Sequence, residues 1–310
     1  MPLPESVRLV DVGPRDGFQA EQRFIPTELK VRTIERLAEA GLCDIEAVSF
    51  VHPRVIPQMA DAAEVMARIE RKPGVRYLAL VPNLKGAERA LEAAADGLRL
   101  VVCVTETYNQ KNVGLSVAES LALFGDIVRL AEPAGVPVSA VLAVAFGCPF
   151  EGRVPEERVL DLARRFVDAG STELGLADSA GLAHPLQIRG LLRRVNEAHP
   201  LIVKWLHLHD TRGLGIANVM AALEEGIAIF DTSLGGLGGC PIMRGATGNV
   251  ATEDVAYLCR EVGLATGVDL DGVRTASRAL ERFLEKALPS RILRAGTREE
   301  LLERNQGGAD

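Results

Sequence analysis

The chain has 310 residues, of which 47% are hydrophobic and 25% are charged. These proportions match those of globular proteins and exclude a disordered, collagen-like or coiled-coil chain. Lys plus Arg number 35 and Asp plus Glu number 42, giving a formal net charge of −7. That balance argues against nucleic acid or a membrane surface as a partner.

The cysteines and the first residues bear on the compartment. Five widely spaced cysteines contain no CxxC pair, which predicts reduced thiols rather than a disulfide framework or a zinc ribbon. The first residues, MPLPESVRLVDVG, lack the basic flank and apolar region of a signal peptide, and no apolar run is long enough to span a membrane. We therefore expect a cytoplasmic protein.

Short apolar runs alternate along the chain with longer amphipathic runs. The predicted strands are Val7–Val12, Asp44–Ser49, Tyr77–Val81, Leu98–Thr105, Pro137–Ala145, Glu173–Ala177, Ile202–Leu208 and Ile229–Ser233. The helices predicted after them are Thr27–Ala40, Ala60–Arg71, Gly86–Ala95, Val117–Glu132, Pro155–Ala169, Pro185–Ala198, Gly215–Glu225 and Thr252–Val262. Most strands are almost continuously apolar, as in parallel sheets covered on both faces. Eight such units predict an α/β fold, a (β/α)8 TIM barrel.

The chain divides into a predicted catalytic barrel, residues 1–268, and a helical extension of the same domain, residues 269–310. The extension is expected to contain two helices and a polar, fraying tail, NQGGAD. A doubly wound sheet is the main alternative. It would need a GxGxxG turn after the first strand, whereas the turn here reads GPRDGFQ.

Polar side chains follow nearly every predicted strand. Because the active sites of such barrels lie at the carboxyl ends of the strands, these side chains are expected to converge. They include Arg15, Asp16, Gln19, Glu46, Ser49, Asp178, His207, His209, Cys240, Asn249 and Glu253.

His207 and His209 are the sharpest local signal. Residues two apart on a strand point to the same side, so both imidazoles can bind one metal ion. Asp16 is a candidate third ligand and Asn249 a candidate oxygen ligand. Nitrogen and oxygen ligands without a thiolate favour Mg²⁺ or Mn²⁺ over structural zinc. The alternatives are ordinary core or surface histidines and an aspartate that bonds nearby backbone N–H groups in a turn.

Arg15, Glu46 and Cys240 are the other candidates. Glu46 lies within an apolar strand and needs a partner if buried, for which we expect Arg15. Arg15 can hold a carboxylate or an enolate oxygen through two hydrogen bonds, or form an ordinary salt bridge. Cys240 follows four glycines in GGLGGCP and is either a general acid on a mobile loop or a lone cysteine in a turn.

Several segments together resemble a known family. VDVGPRDGFQ, IEAVSFVHPRVIPQMAD, GCPFEG, HLHDT and GGLGGCP followed by GATGNVATED are similar to 3-hydroxy-3-methylglutaryl-CoA (HMG-CoA) lyases, within a superfamily of metal-dependent lyases and Claisen synthases on TIM barrels. The motifs occur in family order from about Val7 to Val268. The resemblance implies a homologous metal-dependent lyase.

The resemblance also implies roles for the site residues. Asp16, His207, His209 and Asn249 would bind the divalent cation, Arg15 would stabilise the enolate, and Cys240 would supply or relay a proton. Asp178 corresponds to an active-site acid, Ser49 and Gln19 to substrate-pocket positions, Glu46 to the partner of the arginine, and Glu253 to an acid near the metal-binding asparagine. His207 or Asp178 would act as the base. An acyl-CoA thioester would yield acetyl-CoA and acetoacetate, and a homodimer is the default assembly.

Some positions depart from the usual lyase motifs. Phe18, Ala20 and Gln22 replace Leu, Asn and Lys, Gly175 occupies the position of a pocket serine, and Arg212 replaces Tyr. Another 3-hydroxyacyl-CoA, of the 3-hydroxy-3-alkylglutaryl or citramalyl type, is therefore an alternative substrate. A condensing synthase is disfavoured by the sequence HLHD in place of HxHN, and a non-catalytic metal-binding scaffold by the complete motif set.

Overall fold

The computed structural model describes residues 3–239 and 248–306. The strands are β1 (Arg8–Asp11), β2 (Asp44–Ser49), β3 (Arg76–Leu80), β4 (Gly97–Cys103), β5 (Val138–Ala143), β6 (Glu173–Asp178), β7 (Val203–Leu208) and β8 (Ile229–Thr232). They form a closed barrel in chain order, and every neighbouring pair, including β8 with β1, is parallel. The predicted (β/α)8 barrel is confirmed.

The helices surround the barrel. They are α1 (Thr27–Glu39), α2 (Ala62–Arg68), α3 (Leu84–Glu92), α4 (Glu106–Val113), α5 (Val117–Ala131), α6 (Glu156–Asp168), α7 (Pro185–Ala198), α8 (Gly215–Glu224), α9 (Thr252–Glu261), α10 (Leu270–Leu284), α11 (Arg291–Ala295) and α12 (Arg298–Gln306). Among the described residues, no helix is long and apolar enough to cross a membrane.

The strands bury both faces. One continuous apolar core lies between barrel and helices, and includes Ile34, Phe124 and Phe166. A separate small cluster of Val141, Ala177 and Trp205 stands apart from this core. Burial on both faces explains why the strands read as nearly continuous apolar runs.

The ends of most predicted elements differ from the structure by one to three residues, and two larger differences concern the helices. Helix α4 was not predicted, because it is held by the side chain of Asn109 rather than by an apolar stripe: Asn109 accepts from Cys103 N–H and donates to Leu115 O and Ser120 Oγ. The expectation of two helices after residue 269 is wrong, since α10, α11 and α12 follow. Helix α12 contains no buried residue and extends through Gln306, so its sequence has no periodicity to reveal it. The division of the chain at residue 268 stays a prediction.

Candidate active site

The turn after β1 places two functional side chains. Residues Gly13–Gly17 form one π-helical turn in which the N–H groups of Arg15, Asp16 and Gly17 all point at the carbonyl of Val12. Single π-helical turns are rare in proteins, and those that occur often lie at functional sites. Gly13 is required because a Cβ there would lie 2.1 Å from Leu234. The turn packs against the segment after β8 and directs Arg15 and Asp16 to the carboxyl end of the barrel.

Asp16, His207 and His209 form a group suited to a metal ion. One ligand atom from each lies within 4.8 Å of the others. The two histidines extend from the end of β7, and their Nε2 atoms lie 3.2 Å apart. Two imidazole nitrogens and a carboxylate oxygen that converge in this way fit a divalent cation between them.

Asn249 joins this group from the segment before α9. Its Nδ2 donates to Oδ2 of Asp16 at 2.7 Å and to the carbonyl of Leu237 at 3.0 Å. Its Oδ1 is buried and has no hydrogen-bond partner among the described residues. Buried oxygens are nearly always bonded, so an amide oxygen without a partner, on a side chain that contacts Asp16, is a further feature that fits a cation.

The two histidines differ in electrostatic environment. Nδ1 of His207 lies 3.2 Å from Oδ2 of Asp231, and although burial disfavours the charged ring, this carboxylate raises the pKa of His207. Burial and the neighbouring His207 lower the pKa of His209 to about 4. His209 is therefore neutral at physiological pH, as a metal ligand must be.

Arg15 is held by two carboxylates. Its Nε donates to Oε1 of Glu46 at 2.9 Å and its Nη1 to Oδ1 of Asp16 at 2.7 Å. Burial opposes the charge, but Glu46 and Asp16 outweigh it and raise the pKa of Arg15. Despite its own burial, the pKa of Asp16 is lowered, chiefly by Arg15. Both ions thus persist at neutral pH, and the expected pairing of Glu46 with Arg15 is confirmed.

The remaining predicted residues lie at different depths. Gln19 donates to Oδ1 of Asp16 at 2.9 Å and so belongs to the same cluster. Ser49 is fully buried, and its hydroxyl accepts from Val51 N–H. Asp178 is also fully buried; its oxygens accept from the N–H groups of Leu182 and Ala183, and burial raises its pKa.

Glu253 holds the start of the glycine-rich segment GGLGGCP, which begins at Gly235. Its carboxylate accepts from the N–H of Gly235, at 2.9 and 3.1 Å, and from the hydroxyl of Ser277. Burial raises its pKa to about 7. Gly238, with φ of +110°, lies against the metal group, since a Cβ there would be 2.3 Å from Nδ2 of Asn249 and 2.9 Å from Oδ2 of Asp16. Cys240 lies outside the described residues.

The sequence analysis missed Arg99, Trp205 and Asp231, which lie beneath the site. Nη1 of Arg99 donates to Asp231 and Glu46, and Nε1 of Trp205 donates to Asp231 at 3.1 Å. The signal that revealed Glu46, a charged residue inside an apolar strand, also applies to Arg99 in LRLVV and Asp231 in IFDT.

A family model and curated relatives match nearly the whole chain. The model described as HMGL-like matches residues 6–280. A hydroxymethylglutaryl-CoA lyase of Bacillus subtilis is 42% identical over 94% of this chain and 98% of its own length. The cytoplasmic 3-hydroxy-3-methylglutaryl-CoA lyase of Rattus norvegicus is 40% identical over 96% of this chain and 87% of its own length. This chain belongs to the HMGL-like family.

Solved members of the family share the fold closely. The crystal structure of the B. subtilis HMG-CoA lyase gives a TM-score of 0.92 and covers 94% of this chain and 98% of its own. An HMG-CoA lyase from Acinetobacter baumannii, solved with coenzyme A and 3-methylmalate, is 40% identical, gives a TM-score of 0.91 and covers 95% of this chain and 96% of its own.

The structure explains one position at which this HMGL-like chain departs from the usual lyase motifs. At Gly175, where a pocket serine was expected, a Cβ would lie 2.5 Å from the indole of Trp205. Trp205 is 1% exposed and fills the barrel interior at this level. The serine is therefore replaced by a glycine that makes room for a large aromatic ring. Arg212, another of the departures, is exposed and donates to the carbonyls of Ala180 and Gly181.

Proposed function

We propose that this chain is a divalent-metal-dependent carbon–carbon lyase that cleaves HMG-CoA to acetyl-CoA and acetoacetate. The observation that carries the proposal is the position of the Arg15 guanidinium, 2.7 Å from Asp16 in the candidate metal group. A cation able to meet an enolate oxygen thus lies beside ligands for a metal. The relatives named above carry this activity in their names.

Asp16, His207, His209 and Asn249 would hold the cation. When bound, a divalent cation lowers the pKa of a coordinated hydroxyl group and so prepares a tertiary alcohol for deprotonation. The mixed nitrogen and oxygen ligands favour Mg²⁺ or Mn²⁺. Asp231 supports this assignment, because a carboxylate on Nδ1 of His207 leaves Nε2 of that ring as the ligand atom.

The reaction is a retro-Claisen cleavage. A base removes the proton of the C3 hydroxyl, the C2–C3 bond breaks as the carbonyl forms at C3, and the electron pair passes to the thioester as the enolate of acetyl-CoA. Our candidates for the base are Asp178 and, in a state in which its Nε2 does not bind the metal, His207. A raised pKa suits Asp178 to proton transfer near neutral pH, whereas its two backbone hydrogen bonds suit it to holding the loop after β6.

Arg15 would stabilise the enolate. Glu46 and Asp16 engage three of its five N–H groups, which fixes the guanidinium and leaves one N–H on each terminal nitrogen for a substrate oxygen. A preorganised charge of this kind typically contributes about 3–4 kcal/mol to transition-state stabilisation. Glu46 thus acts through Arg15 rather than on the substrate.

The other predicted residues have supporting roles in this proposal. Gln19 would contact substrate beside Asp16, and Ser49 would shape the pocket from the end of β2. Cys240 would deliver or relay the proton that converts the enolate carbon of acetyl-CoA to a methyl group. Glu253, through its bonds to Gly235, would support the segment that carries Cys240.

A second substrate class is favoured by a specific observation. Trp205 occupies the space next to Gly175, the position where the resemblance leads us to expect a serine, so the polar lining of the pocket is reduced. A 3-hydroxy-3-alkylglutaryl-CoA or a citramalyl-CoA thioester would undergo the same cleavage with a different acyl group. We propose HMG-CoA as the first substrate to test and these thioesters as the second.

We also propose a cytoplasmic homodimer. Among the described residues, Cys43, Cys148 and Cys259 are not joined in disulfides, which supports a reducing compartment. Twofold homodimers are the commonest closed assemblies, which supports the dimer.

The decisive experiment measures acetyl-CoA release from HMG-CoA by the purified protein with Mg²⁺ or Mn²⁺, with and without EDTA. We expect release that EDTA abolishes and that either metal restores. His207→Ala should reduce turnover by several orders of magnitude while the protein stays folded. Cys240→Ser should lower turnover and leave the metal content intact. Metal binding without release from HMG-CoA would redirect the assay to the other thioesters, and no release from any of them would contradict the proposal.

A further inference from the structure

Arg99 lies beneath the candidate active site, in the middle of β4. It is 3% exposed although its strand neighbours are apolar. Its Nη1 donates to Oε2 of Glu46 at 3.1 Å and to both carboxylate oxygens of Asp231, at 3.0 and 3.1 Å. Its guanidinium carbon lies 4.6 Å from the ring centroid of Trp205. One nitrogen therefore contacts two carboxylates from β2 and β8, the two strands that flank β1.

Each of these carboxylates also holds a residue of the site above. The other oxygen of Glu46, Oε1, accepts from Nε of Arg15 at 2.9 Å. Oδ2 of Asp231 lies 3.2 Å from Nδ1 of His207. Arg99 thus links, from below, the guanidinium assigned to the enolate and an imidazole assigned to the metal.

The charges explain why this link is needed. Three buried or nearly buried carboxylates, those of Asp16, Glu46 and Asp231, face the two guanidiniums of Arg15 and Arg99. Without Arg99, Glu46 and Asp231 would lose a shared cation in the barrel interior, where an uncompensated charge is costly. The remaining nearby cation is Arg15, which would be drawn down toward both carboxylates and away from a reacting oxygen.

We propose that Arg99 is a positioning residue that sets the orientation of both Arg15 and His207 without touching the substrate. The inference rests on the proposed function for its effect on turnover. Its effect on the geometry of the metal ligands does not depend on which thioester is cleaved. Supporting residues of this kind typically change metal affinity or activity about 10- to 100-fold when altered.

A purely structural role is the alternative, and the chain offers a matched control. Arg76, at the opposite end of the barrel, also joins two carboxylates, those of Asp44 and Glu173. Arg76→Met removes a comparable ionic link from the barrel but leaves the candidate site untouched. If Arg99 only neutralised charge in the interior, the two Arg→Met variants would differ in stability alone.

The test compares wild type, Arg99→Met, Arg99→Lys and Arg76→Met. The readouts are the thermal midpoint, the visible absorption spectrum of the Co²⁺-loaded protein, and kcat and KM for HMG-CoA with Mn²⁺. For Arg99→Met we expect a shifted Co²⁺ spectrum and a kcat reduced about 10- to 100-fold, with KM within about twofold because transition-state contacts are lost. Arg99→Lys, which keeps the charge without the planar group on Trp205, should fall between wild type and Arg99→Met. Arg76→Met should match wild type in spectrum and kcat.

The outcomes separate this inference from the proposed function. A folded Arg99→Met with the wild-type Co²⁺ spectrum and kcat would overturn it. If that variant does not fold, Arg99→Lys decides by the same two readouts. A wild type that binds Co²⁺ but does not cleave HMG-CoA would contradict the proposed substrate, and the spectra would still decide the role of Arg99. A wild type that binds no Co²⁺ would overturn both.

Discussion

The Nδ1 atom of His207 lies 3.2 Å from Oδ2 of Asp231, a carboxylate that is itself buried and bonded to Arg99 and Trp205. Burial would raise the pKa of Asp231, but the charge of Arg99 outweighs it and lowers this pKa. The carboxylate is therefore ionised and accepts the Nδ1 proton of His207. This fixes both the tautomer and the orientation of the ring, with Nε2 directed toward His209.

Asp231→Asn should weaken metal binding about 10- to 100-fold, because the neutral amide holds the His207 ring less firmly and makes it less basic. Calorimetric titration with Mn²⁺ measures the effect. Asp44→Asn is the control. Asp44 is also a buried aspartate, but it pairs with Arg8 and Arg76 and contacts no candidate metal ligand in the part of the chain that the structure describes. Equal Mn²⁺ affinity in the Asp231 variant and wild type would mean that this contact does not orient a metal ligand.

Asn249→Asp should replace the hydrogen bond to Asp16 with a repulsive contact and make the stability of the protein depend on bound metal. Nδ2 of Asn249 lies 2.7 Å from Oδ2 of Asp16, so the substitution places two carboxylates face to face. Like charges at this distance repel unless a proton or a cation lies between them. Without metal, we expect a thermal midpoint lower by about 2–4 °C or more. Mn²⁺ should raise the midpoint of the variant by more than that of wild type.

Asn218→Asp is the matched control for that prediction. Asn218 likewise has a buried Oδ1 without a partner among the described residues and donates its Nδ2 to a carbonyl, that of Ala183. It is not part of the candidate metal group, so its variant should lose stability without an added response to Mn²⁺. The same response to Mn²⁺ in both variants would contradict a cation site at Asn249.

Gly238→Ala should damage the metal site more than the fold. Its φ of +110° disfavours any side chain, and a Cβ would meet Nδ2 of Asn249 at 2.3 Å. Gly263 has a φ of +79° with no atom within 4 Å of a Cβ, so Gly263→Ala shares the backbone strain without the clash. We expect lower Mn²⁺ affinity and turnover in the first variant only. Parallel losses in both variants would attribute the effect to backbone strain.

The sequence predicts the parts of this molecule that depend on local pattern. The bounds of β2, Asp44–Ser49, and α7, Pro185–Ala198, agree with the prediction because apolar runs and a helix-starting proline mark them. The pairing of Glu46 with Arg15 also follows, since a buried charge needs a nearby partner and few candidates exist.

Arg99 could not be placed in the same way. Its partners, Glu46 and Asp231, are separated from it by 53 and 132 residues. Only closure of the barrel brings β2, β4 and β8 around one guanidinium. The replacement of a serine at position 175 was visible in the sequence, but its cause, the indole of Trp205, lies on the neighbouring strand β7 and depends on strand register.

Gly175→Ser should destabilise the protein by about 1–3 kcal/mol, the typical cost of overpacking a filled interior. The new Cβ would lie 2.5 Å from two indole carbons of Trp205. Gly190→Ser is the control, because the nearest atom to a Cβ there is a carboxylate oxygen of Glu156 at 3.6 Å. Urea unfolding measures both. A serine at position 175 without loss of stability would show that the indole is free to move.

Glu253 gives the chain a predictable pH dependence of stability. Burial raises its pKa from 4.5 to about 7 in the folded state. Between these two values the folded state binds more protons than the unfolded state, so the free energy of unfolding falls as the pH rises. Above pH 7 this contribution is fully lost, at an order of magnitude of about 3 kcal/mol.

Glu253→Gln should therefore change the slope of the stability curve as well as its height. Glutamine does not ionise, so the free energy of unfolding of the variant, relative to wild type, should improve from pH 5 to about pH 7 and then level off, by up to about 3 kcal/mol in all. Urea unfolding across this range measures it. Glu119→Gln is the control: hydrogen bonds from Ser116 lower the pKa of Glu119 below 4.5, so the difference from wild type should stay constant over the same range. Parallel curves for Glu253→Gln and wild type would show that Glu253 is ionised throughout, held by Gly235 and Ser277 strongly enough to offset its burial.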